Sequence, residues 1–350
     1  MKLVHNNNFE LIRFSLATLV IVLHSFDLLN VEYTDYLSII THHQITLPYI
    51  IIRGFVIMSG YLVLKSLIRS TSIKQYLWRR FLRIYPPLLV ALLLWAFVIG
   101  PFLSSLPAKQ YFASSDVWRH VVYSFRIFMV KRTECLPGVF TNNPAGCAVN
   151  GSLWTIWVEE LLYILLIALF FIRKKKRLLN ITLIVIALSL FAFNTYILPS
   201  FKDTPVPLSK GIGYDYFMNL FLYFFSGCLL TLFSWKNMLI NRVLLCAALV
   251  ATAITCYLRI YEPFGYILYP LIMVTFGSDS IPYLLKMFRF GNPSYGLYIY
   301  AYPIQQALIQ VLSPSPWQLV IMSVPLSLIV GYASWHIIEV PFLSLKERVK

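Results

Sequence analysis

Two ionisable side chains lie within the first long apolar stretch of the chain. Arg13 and His24 are separated by eleven positions in the segment FELIRFSLATLVIVLHSFDLL. Eleven steps of ~100° bring both side chains to one face of an α-helix, roughly 16 Å apart along its axis. An ionisable residue inside a membrane helix is a functional-site hypothesis by default. The His24 imidazole is suited to accept a proton near neutral pH, and a polar contact between helices is the alternative for it.

A second group of candidates is the basic cluster in KQYLWRRFLRIYPP. Arg79, Arg80 and Arg83 fall within about one helical turn, so their guanidinium groups form a compact set of donors that can bind phosphate bidentately. Basic residues beside a span are also ordinary signals of membrane orientation, and both interpretations stay open here. Pro86 and Pro87 follow at once and are compatible with either a helix start or a kink.

A carboxylate and a hydroxyl are spaced for contact in the segment GSLWTIWVEELLYIL. Glu159 and Tyr163 are four residues apart, and a carboxylate within a span should pair with Arg, His or a hydroxyl. Glu160 points about 100° away and is expected at the membrane interface. The alternative for Glu159 is a purely structural ion pair. In the second apolar run, Ser59 and Gly60 form a small-residue patch that favours close helix packing.

The elements that must position these residues are membrane-spanning helices. The chain has 350 residues, of which 59% are hydrophobic and 12% are charged, and this excludes an ordinary soluble domain. We predict an all-α integral membrane protein with about ten transmembrane helices, forming a single domain over residues 1–350. The predicted spans are Phe9–Leu29, Thr46–Leu64, Leu82–Leu103, Leu153–Ile172, Leu178–Leu198, Tyr216–Phe233, Leu239–Leu258, Phe264–Gly277, Ser294–Leu312 and Gln318–Ile338.

The distribution of basic residues predicts the orientation of these spans. With a cytoplasmic N-terminus, 20 of the 29 Lys and Arg residues fall on the inner side, among them the run RKKKR at 173–177. Both termini are then cytoplasmic, and the loop over residues 104–151 lies outside the membrane. The net charge of +15 is thus a signal of orientation in a lipid bilayer, and nucleic acid is not expected as a partner. The first apolar run lacks a signal-peptide cleavage site and is expected to stay as a helix.

The five cysteines divide between this outer loop and the spans. Cys135 and Cys147 lie in the Pro- and Gly-rich segment CLPGVFTNNPAGC, where they form either a disulfide or two free thiols. Cys228, Cys246 and Cys256 lie within predicted spans and are expected to pack as small apolar residues. No metal site is expected.

Taken in chain order, these segments resemble the acyltransferase-3 family of multi-span membrane acyltransferases. The resemblance covers nearly the whole chain. The matching segments are Arg13 to His24 (Arg-x10-His), Phe55 to Gly60 (an aromatic segment ending in Ser-Gly), Arg80 to Arg83 (Arg-x-x-Arg), Gly151 to Glu159 with Tyr163 following (Gly-x-Leu-Trp-x-x-x-x-Glu), and Ser294 to Pro303 (containing Ser-Tyr-x-x-Tyr).

The resemblance implies an O-acyltransferase of the bacterial inner membrane. Its expected donor is cytoplasmic acetyl-CoA or a similar acyl-CoA, and its expected acceptor is a hydroxyl of a surface glycan, polymeric or lipid-linked, such as an O-antigen of lipopolysaccharide or a capsule repeat. His24 is expected to act as general base or to carry the acyl group itself. The supporting assignments are Glu159 and Arg13 for catalysis, Arg79, Arg80 and Arg83 for the CoA phosphates, and Trp154, Tyr163, Ser59 and Tyr295 for the substrate.

Two departures and two alternatives accompany this interpretation. Ala301 stands where many relatives have a His before the Pro, and Arg53 stands at a position that is often acidic or polar and uncharged. The competing class is a proton-coupled glycan or lipid transporter, or flippase, that uses Arg13, His24 and Glu159 as a proton relay, although no internal repeat is found. A membrane scaffold without activity is the third class, and it gives no reason for ionisable groups inside the spans.

Overall fold

A computed structural model describes residues 7–125, 135–198 and 213–347 of the chain. Within these ranges the ordered elements are helices and isolated β-bridges, such as the antiparallel one between Cys135 and Ala148, so the all-α fold class is confirmed. The predicted positions of both termini, including Lys2, Arg348 and Lys350, fall outside the described residues. The α-helices are α1 Phe9–Asp27, α2 Tyr36–Ile40, α3 Leu47–Arg69, α4 Ile73–Leu93, α5 Gly100–Leu103, α6 Ala108–Ala113, α7 Ser115–Phe125, α8 Trp154–Leu165, α9 Lys176–Ala192, α10 Tyr214–Leu229, α11 Met238–Tyr257, α12 Tyr261–Ser278, α13 Pro282–Leu285, α14 Ser294–Leu312, α15 Pro316–Ser334 and α16 Val340–Leu343.

Several of these helices continue through segments of different winding. The π-helical segments are Leu94–Ile99, Phe193–Ile197 and Trp335–Glu339, and the 3-10 segments are Gly151–Leu153, Leu166–Ile172, Leu230–Leu232, Lys286–Phe290 and Ser344–Glu347. Pro101 and Pro341 each follow a π-helical segment by two residues, at the start of α5 and α16. Proline has no N–H to donate to the preceding turn, and its ring collides with that turn. A wider π-helical turn accommodates the ring, so the helix continues through the proline.

Most of the predicted spans are present as long apolar helices. In the described part of the chain, eight helical segments are long and apolar enough to cross a membrane, or nine if the bent pair Tyr261–Ser278 and Pro282–Phe290 is one span. The predicted count of about ten is not confirmed. Helix α14 matches the predicted span Ser294–Leu312, but it does not reach the same apolarity because several of its residues are Tyr and Gln.

Several span boundaries differ from the prediction; the tenth segment, for example, covers Pro316–Lys346 instead of Gln318–Ile338. Helix α4 begins at Ile73 rather than near Leu82, so the basic cluster and both prolines, Pro86 and Pro87, lie inside one helix. Helix α12 ends at Ser278, one residue past the predicted end of the eighth span, and the chain then bends by 73° into a second short helix. Asp279 caps this bend and accepts a hydrogen bond from Arg242 at 2.8 Å.

The chain divides into two compact units, and each is built from three segments. The first unit comprises Met1–Leu16, Asp35–Ile73 and Glu159–Arg289. In it, α3 packs against α10 with almost no separation, because a Cβ on Gly60 would lie 2.0 Å from the carbonyl oxygen of Phe224 and one on Gly227 would lie 2.2 Å from that of Ile57. The small-residue patch predicted at Ser59 and Gly60 is thus confirmed as a helix contact.

The second unit comprises Ala17–Thr34, Lys74–Val158 and Phe290–Lys350. Its helices α14 and α15 meet at a pair of glycines, where a Cβ on Gly296 would lie 2.7 Å from the Cα of Gly331. A disulfide joins Cys135 to Cys147, which decides between the two alternatives for these residues. Of the three remaining cysteines, Cys228 and Cys256 are buried as expected, whereas Cys246 is exposed.

Hydrogen bonds from two glutamines of α14 hold the disulfide-closed loop against that helix. The Gln306 amide donates to the carbonyls of Gly146 and Ala148, each at 3.0 Å, and Asn143 donates back to the Gln306 side chain at 2.8 Å. One turn later, Gln310 accepts from the backbone N–H of Phe140 at 3.0 Å. These bonds explain why α14 is less apolar than the other long helices: its amides satisfy loop backbone that has no other secondary structure.

Candidate functional site

The His24 side chain lies in the last turn of α1, in the second unit, where it is 27% exposed. Its ring makes an edge-to-face contact with Tyr302, with 5.2 Å between ring centroids. Its Nδ1 atom lies 3.8 Å from a carboxylate oxygen of Asp27, one turn further along the same helix. A carboxylate near Nδ1 favours the tautomer that carries its proton there and leaves Nε2 free to accept one.

Tyr302 also contacts the start of the Gly151–Glu159 segment. A Cβ on Gly151 would lie 2.7 Å from the Tyr302 hydroxyl, so a glycine at this position leaves room for the ring. The neighbouring Tyr298 hydroxyl donates to the carbonyl of Ser152 and hydrogen-bonds the Thr155 hydroxyl. Segments that are far apart in sequence thus meet at one aromatic side chain: the end of α1, the start of α8 and the first half of α14.

Two further hydrogen bonds hold α14 within this unit. The buried Gln305 amide donates to the carbonyl of Ile21 at 2.8 Å and to the Ser25 hydroxyl at 2.7 Å, which fixes the turn of α1 that precedes His24. At the other end of the helix, Tyr295 donates to the carbonyl of Ile84 at 2.8 Å, directly after Arg83. Helix α14 therefore connects the histidine to the basic cluster.

The basic cluster is partly buried and interacts with a carboxylate that sequence reasoning missed. Arg79, Arg80 and Arg83 are all partly buried on α4. Arg83 interacts electrostatically with Glu339, a residue of the segment WHIIEVP. Glu339 is 1% exposed, and in the described part of the chain neither of its oxygens has a hydrogen-bond partner. A glutamate at the end of a long apolar run was the available signal.

The first unit brings three of the predicted residues together. Glu159 accepts hydrogen bonds from Ser59 at 3.3 Å and from Tyr163 at 2.7 Å, and the Tyr163 hydroxyl lies 3.4 Å from that of Ser59. The predicted contact between Glu159 and Tyr163 is therefore present, with the Tyr163 hydroxyl as the donor. Glu160 is 8% exposed and is the more deeply buried of the two acids, and its position at the membrane interface stays a prediction.

The other predicted residues are distributed between the two units. Arg13 is partly buried on α1 and belongs to the first unit, whereas His24 on the same helix belongs to the second. Trp154 begins α8 in the second unit, and Glu159 further along that helix belongs to the first. The pairing of Glu159 with His24 therefore stays a prediction. Among the residues that the structure describes, no group of three or more His, Cys, Asp or Glu side chains could hold a metal ion.

These features define a helical, multi-span membrane protein with a partly exposed histidine beside a carboxylate. The sequence model of the acyltransferase-3 family, described as an acyltransferase domain, matches residues 6–336. The chain belongs to this family.

Two relatives are similar to this chain over most of its length. An O-acetyl transferase of Shigella phage Sf6 is 29% identical over 304 residues, which is 83% of this chain and 83% of the phage protein. The peptidoglycan O-acetyltransferase OatA of Listeria monocytogenes serovar 1/2a is 25% identical over 335 residues, which is 82% of this chain and 50% of OatA. No solved structure matches the chain.

Proposed function

We propose that this protein transfers an acyl group, most simply acetyl, from cytoplasmic acyl-CoA to a hydroxyl of a cell-surface glycan such as an O-antigen or capsule repeat. Membership of an acyltransferase family supports the reaction class. The names of two relatives, an O-acetyl transferase and a peptidoglycan O-acetyltransferase, support acetyl as the group and oxygen as the acceptor atom. The proposal places the protein in a bacterial inner membrane, with residues 1–350 acting as one transferase domain and the loop 104–151 outside.

The observation that carries the proposal is the environment of His24. Its imidazole is partly exposed, so a substrate can reach it, and Asp27 lies on the Nδ1 side of the ring. In the proposed reaction, Nε2 accepts the proton of the acceptor hydroxyl while the hydroxyl oxygen attacks the thioester carbonyl carbon. The carbon–sulfur bond then breaks, and His24 returns the proton to the departing CoA thiolate. The first step leaves His24 as an imidazolium, and the second restores the neutral imidazole with which the cycle began.

The arginines have two proposed roles. Arg80 and Arg83, with Arg79 beside them, bind the CoA phosphates, since guanidinium groups match phosphate oxygens in pairs. The electrostatic interaction between Glu339 and Arg83 supports this role, because a nearby carboxylate keeps a guanidinium group in place when no phosphate is bound. Arg13 stabilises the negative charge that develops on the thioester oxygen.

The remaining candidates are proposed to bind the acceptor glycan and to balance the charge on His24. Glu159 orients or balances His24, and its hydrogen bonds with Ser59 and Tyr163 support a fixed carboxylate. Trp154 and Tyr295, together with Ser59 and Tyr163, contact the substrate. Aromatic rings stack on sugars and their polar ends donate hydrogen bonds.

The test is acetyl transfer in membranes that contain the protein. Radiolabelled acetyl-CoA and a glycan extract are incubated with the wild-type protein and with His24→Ala. We expect label in the glycan with the wild-type protein and a loss of at least ~100-fold with the variant, since general base catalysis contributes about 10²–10⁴-fold. His336→Ala removes an exposed histidine of the same unit and serves as the matched control, with unchanged transfer.

Other outcomes separate the alternatives. Label that stays on the protein when the acceptor is omitted indicates an acyl-histidine intermediate rather than direct transfer. Movement of glycan across the membrane without label indicates a transporter, for which Arg13 and Glu159 would form part of a proton relay. Full transfer by a correctly inserted His24→Ala variant removes His24 from the chemistry.

A further inference from the structure

The first unit contains a second cationic site that the proposed reaction does not use. Arg53 lies in α3, inside a segment that can cross the membrane, and it is partly buried. Over residues 7–125, 135–198 and 213–347, Arg53 forms no salt bridge. Arg242 in the same unit, by contrast, pairs with Asp279 at 2.8 Å. A charge held within a span without a carboxylate partner is costly, and such residues usually mark a functional site.

Tyrosine rings surround this guanidinium group. Its central carbon lies 4.2 Å from the ring centroid of Tyr49, 5.3 Å from that of Tyr216 and 5.5 Å from that of Tyr223. These cation–π contacts stabilise the guanidinium group without neutralising its charge. Arg53 Nε donates to Asn219 at 2.8 Å, which fixes the plane of the group. The guanidinium group also hydrogen-bonds the Tyr216 side chain, and four of its five N–H donors lie on the two Nη groups.

The tyrosines are held by their own hydroxyl network. Tyr49 and Tyr223 are hydrogen-bonded through their hydroxyls, and Tyr269 donates to the carbonyl of Ile50 at 2.6 Å. Asn219 donates from its amide to the Tyr266 hydroxyl at 2.7 Å, so one side chain orients both the guanidinium group and a ring. The network is preorganised, because its hydrogen bonds exist before any ligand arrives.

Burial divides this site into a floor and a rim. Tyr223 is 1% exposed, and Tyr261, Tyr266 and Tyr269 are also buried. Arg53 and the side chains of Tyr49, Tyr216 and Asn219 are all partly exposed. Gly265 makes room for the cluster, since a Cβ there would lie 2.8 Å from the Tyr49 hydroxyl and 3.1 Å from the Tyr223 hydroxyl. An accessible cation above a fixed aromatic floor is the arrangement of a binding site.

We propose that Arg53 and its surrounding tyrosines bind an anionic group of the acceptor glycan, either a sugar carboxylate or a phosphate. A guanidinium fork pairs with both oxyanions, and tyrosine rings and hydroxyls contact the attached sugar. Arg53 lies six residues past Leu47, ~9 Å along α3 from the end that the predicted topology places outside, which is the acceptor side. This inference rests on the proposed function and gives it a substrate class.

Direct binding to the full-length purified protein tests the proposal. The probes are glucuronate for the carboxylate, glucose 1-phosphate for the phosphate and glucose as the neutral sugar, each titrated calorimetrically. We expect at least one anion to bind more tightly than glucose. Arg53→Gln should lower the affinity for that anion about 10- to 100-fold, since hydrogen bonds to charged groups contribute ~1.5–3 kcal/mol. Glucose affinity should not change. Preference for one of the two anions identifies the source of the charge.

Three control variants make the result decisive. Arg242→Gln removes a paired arginine of the same unit and should leave the affinity for the anion unchanged. Arg53→Lys keeps the positive charge but loses the forked guanidinium geometry, so it should lower the affinity for the anion about 10-fold. It replaces Arg53→Gln if that variant does not fold. His24→Ala should lose acetyl transfer but bind the anion normally, so failure of the reaction and failure of this site are distinguishable. Equal affinity of the wild-type protein for anions and glucose, or unchanged affinity in every folded Arg53 variant, overturns the proposal.

Discussion

At the residue scale, the role proposed for His24 involves one neighbour that the motif does not include. Asp27 lies 3.8 Å from Nδ1, which is longer than a hydrogen bond, and its side chain is 70% exposed. Hydrogen bonds of catalytic groups are often long before substrate binds and shorten in the reacting complex. We therefore propose Asp27 as a positioning residue, which selects the tautomer of His24 rather than touching the substrate.

Replacing Asp27 by Asn should lower the rate of transfer without weakening the binding of the acyl donor. We expect kcat to fall about 10-fold, since outer-shell partners of this kind contribute about 10- to 100-fold, while KM for acetyl-CoA stays constant. Steady-state kinetics on the purified protein measure both constants. Asp116→Asn is the matched control, because Asp116 is an exposed acid paired with Arg119 in the same unit and its loss should change neither constant. A change in KM alone would contradict the positioning role.

Sequence analysis missed some contacts that helix spacing could have predicted and others that it could not. Asp27 lies three positions after His24, so its contact follows from helix geometry and was within reach. Glu339 stands 256 positions from Arg83, and the tyrosines around Arg53 come from α3, α10 and α12. Contacts between distant segments depend on how the helices pack, and a single sequence carries no periodicity that specifies them.

At the element scale, the contact between α3 and α10 holds the Ser59 motif in place. Gly60 and Gly227 each face a carbonyl oxygen of the opposite helix at a distance that no side chain permits. In a membrane, helices associate through such close packing because lipid tails are as apolar as side chains. Ser59 precedes Gly60 directly, so the same contact positions the hydroxyl that donates to Glu159.

Gly60→Ala should therefore destabilise the protein and reduce transfer together. A Cβ 2.0 Å from the Phe224 carbonyl cannot be accommodated without separating the two helices. We expect a loss of about 1–3 kcal/mol, as for overpacked cores, measured as a lower thermal midpoint in detergent. For comparison, Gly146→Ala meets no atom within 4 Å, and its strain comes only from a φ of +83°. Gly146→Ala should lose less stability and keep its transfer activity; an equal loss in both variants would contradict a steric role for Gly60.

Helix identity was more predictable than helix boundaries. Apolar length alone placed α1, α9 and α11 within a few residues, because a bilayer-spanning run leaves a strong signal. The start of α4 was wrong by nine residues, since its first turns are amphipathic rather than apolar. The bend after Ser278 was not predicted, because a capping acid and two short helices resemble an ordinary loop in sequence.

At the scale of the whole molecule, the chain order of the motifs does not match their grouping in space. Each compact unit is assembled from three separated segments, and the motif helices α1 and α8 each contribute residues to both units. The single domain predicted over residues 1–350 stays a prediction, because one sequence carries no signal for how distant segments pack. The family resemblance, by contrast, was recoverable from the motifs alone and is confirmed by the match over residues 6–336.

The orientation of the molecule decides which compartment each site faces, and it can be measured. A disulfide between Cys135 and Cys147 suits an oxidising compartment, so the loop 104–151 should lie outside and the run at 173–177 inside. In a Cys246→Ser background, which removes the exposed native thiol, Lys109→Cys and Lys174→Cys form a matched pair of exposed positions. A membrane-impermeant maleimide should label Lys109→Cys in intact cells and Lys174→Cys only after permeabilisation. The reverse pattern would place Arg80 and Arg83 away from cytoplasmic CoA and would remove the proposed donor site.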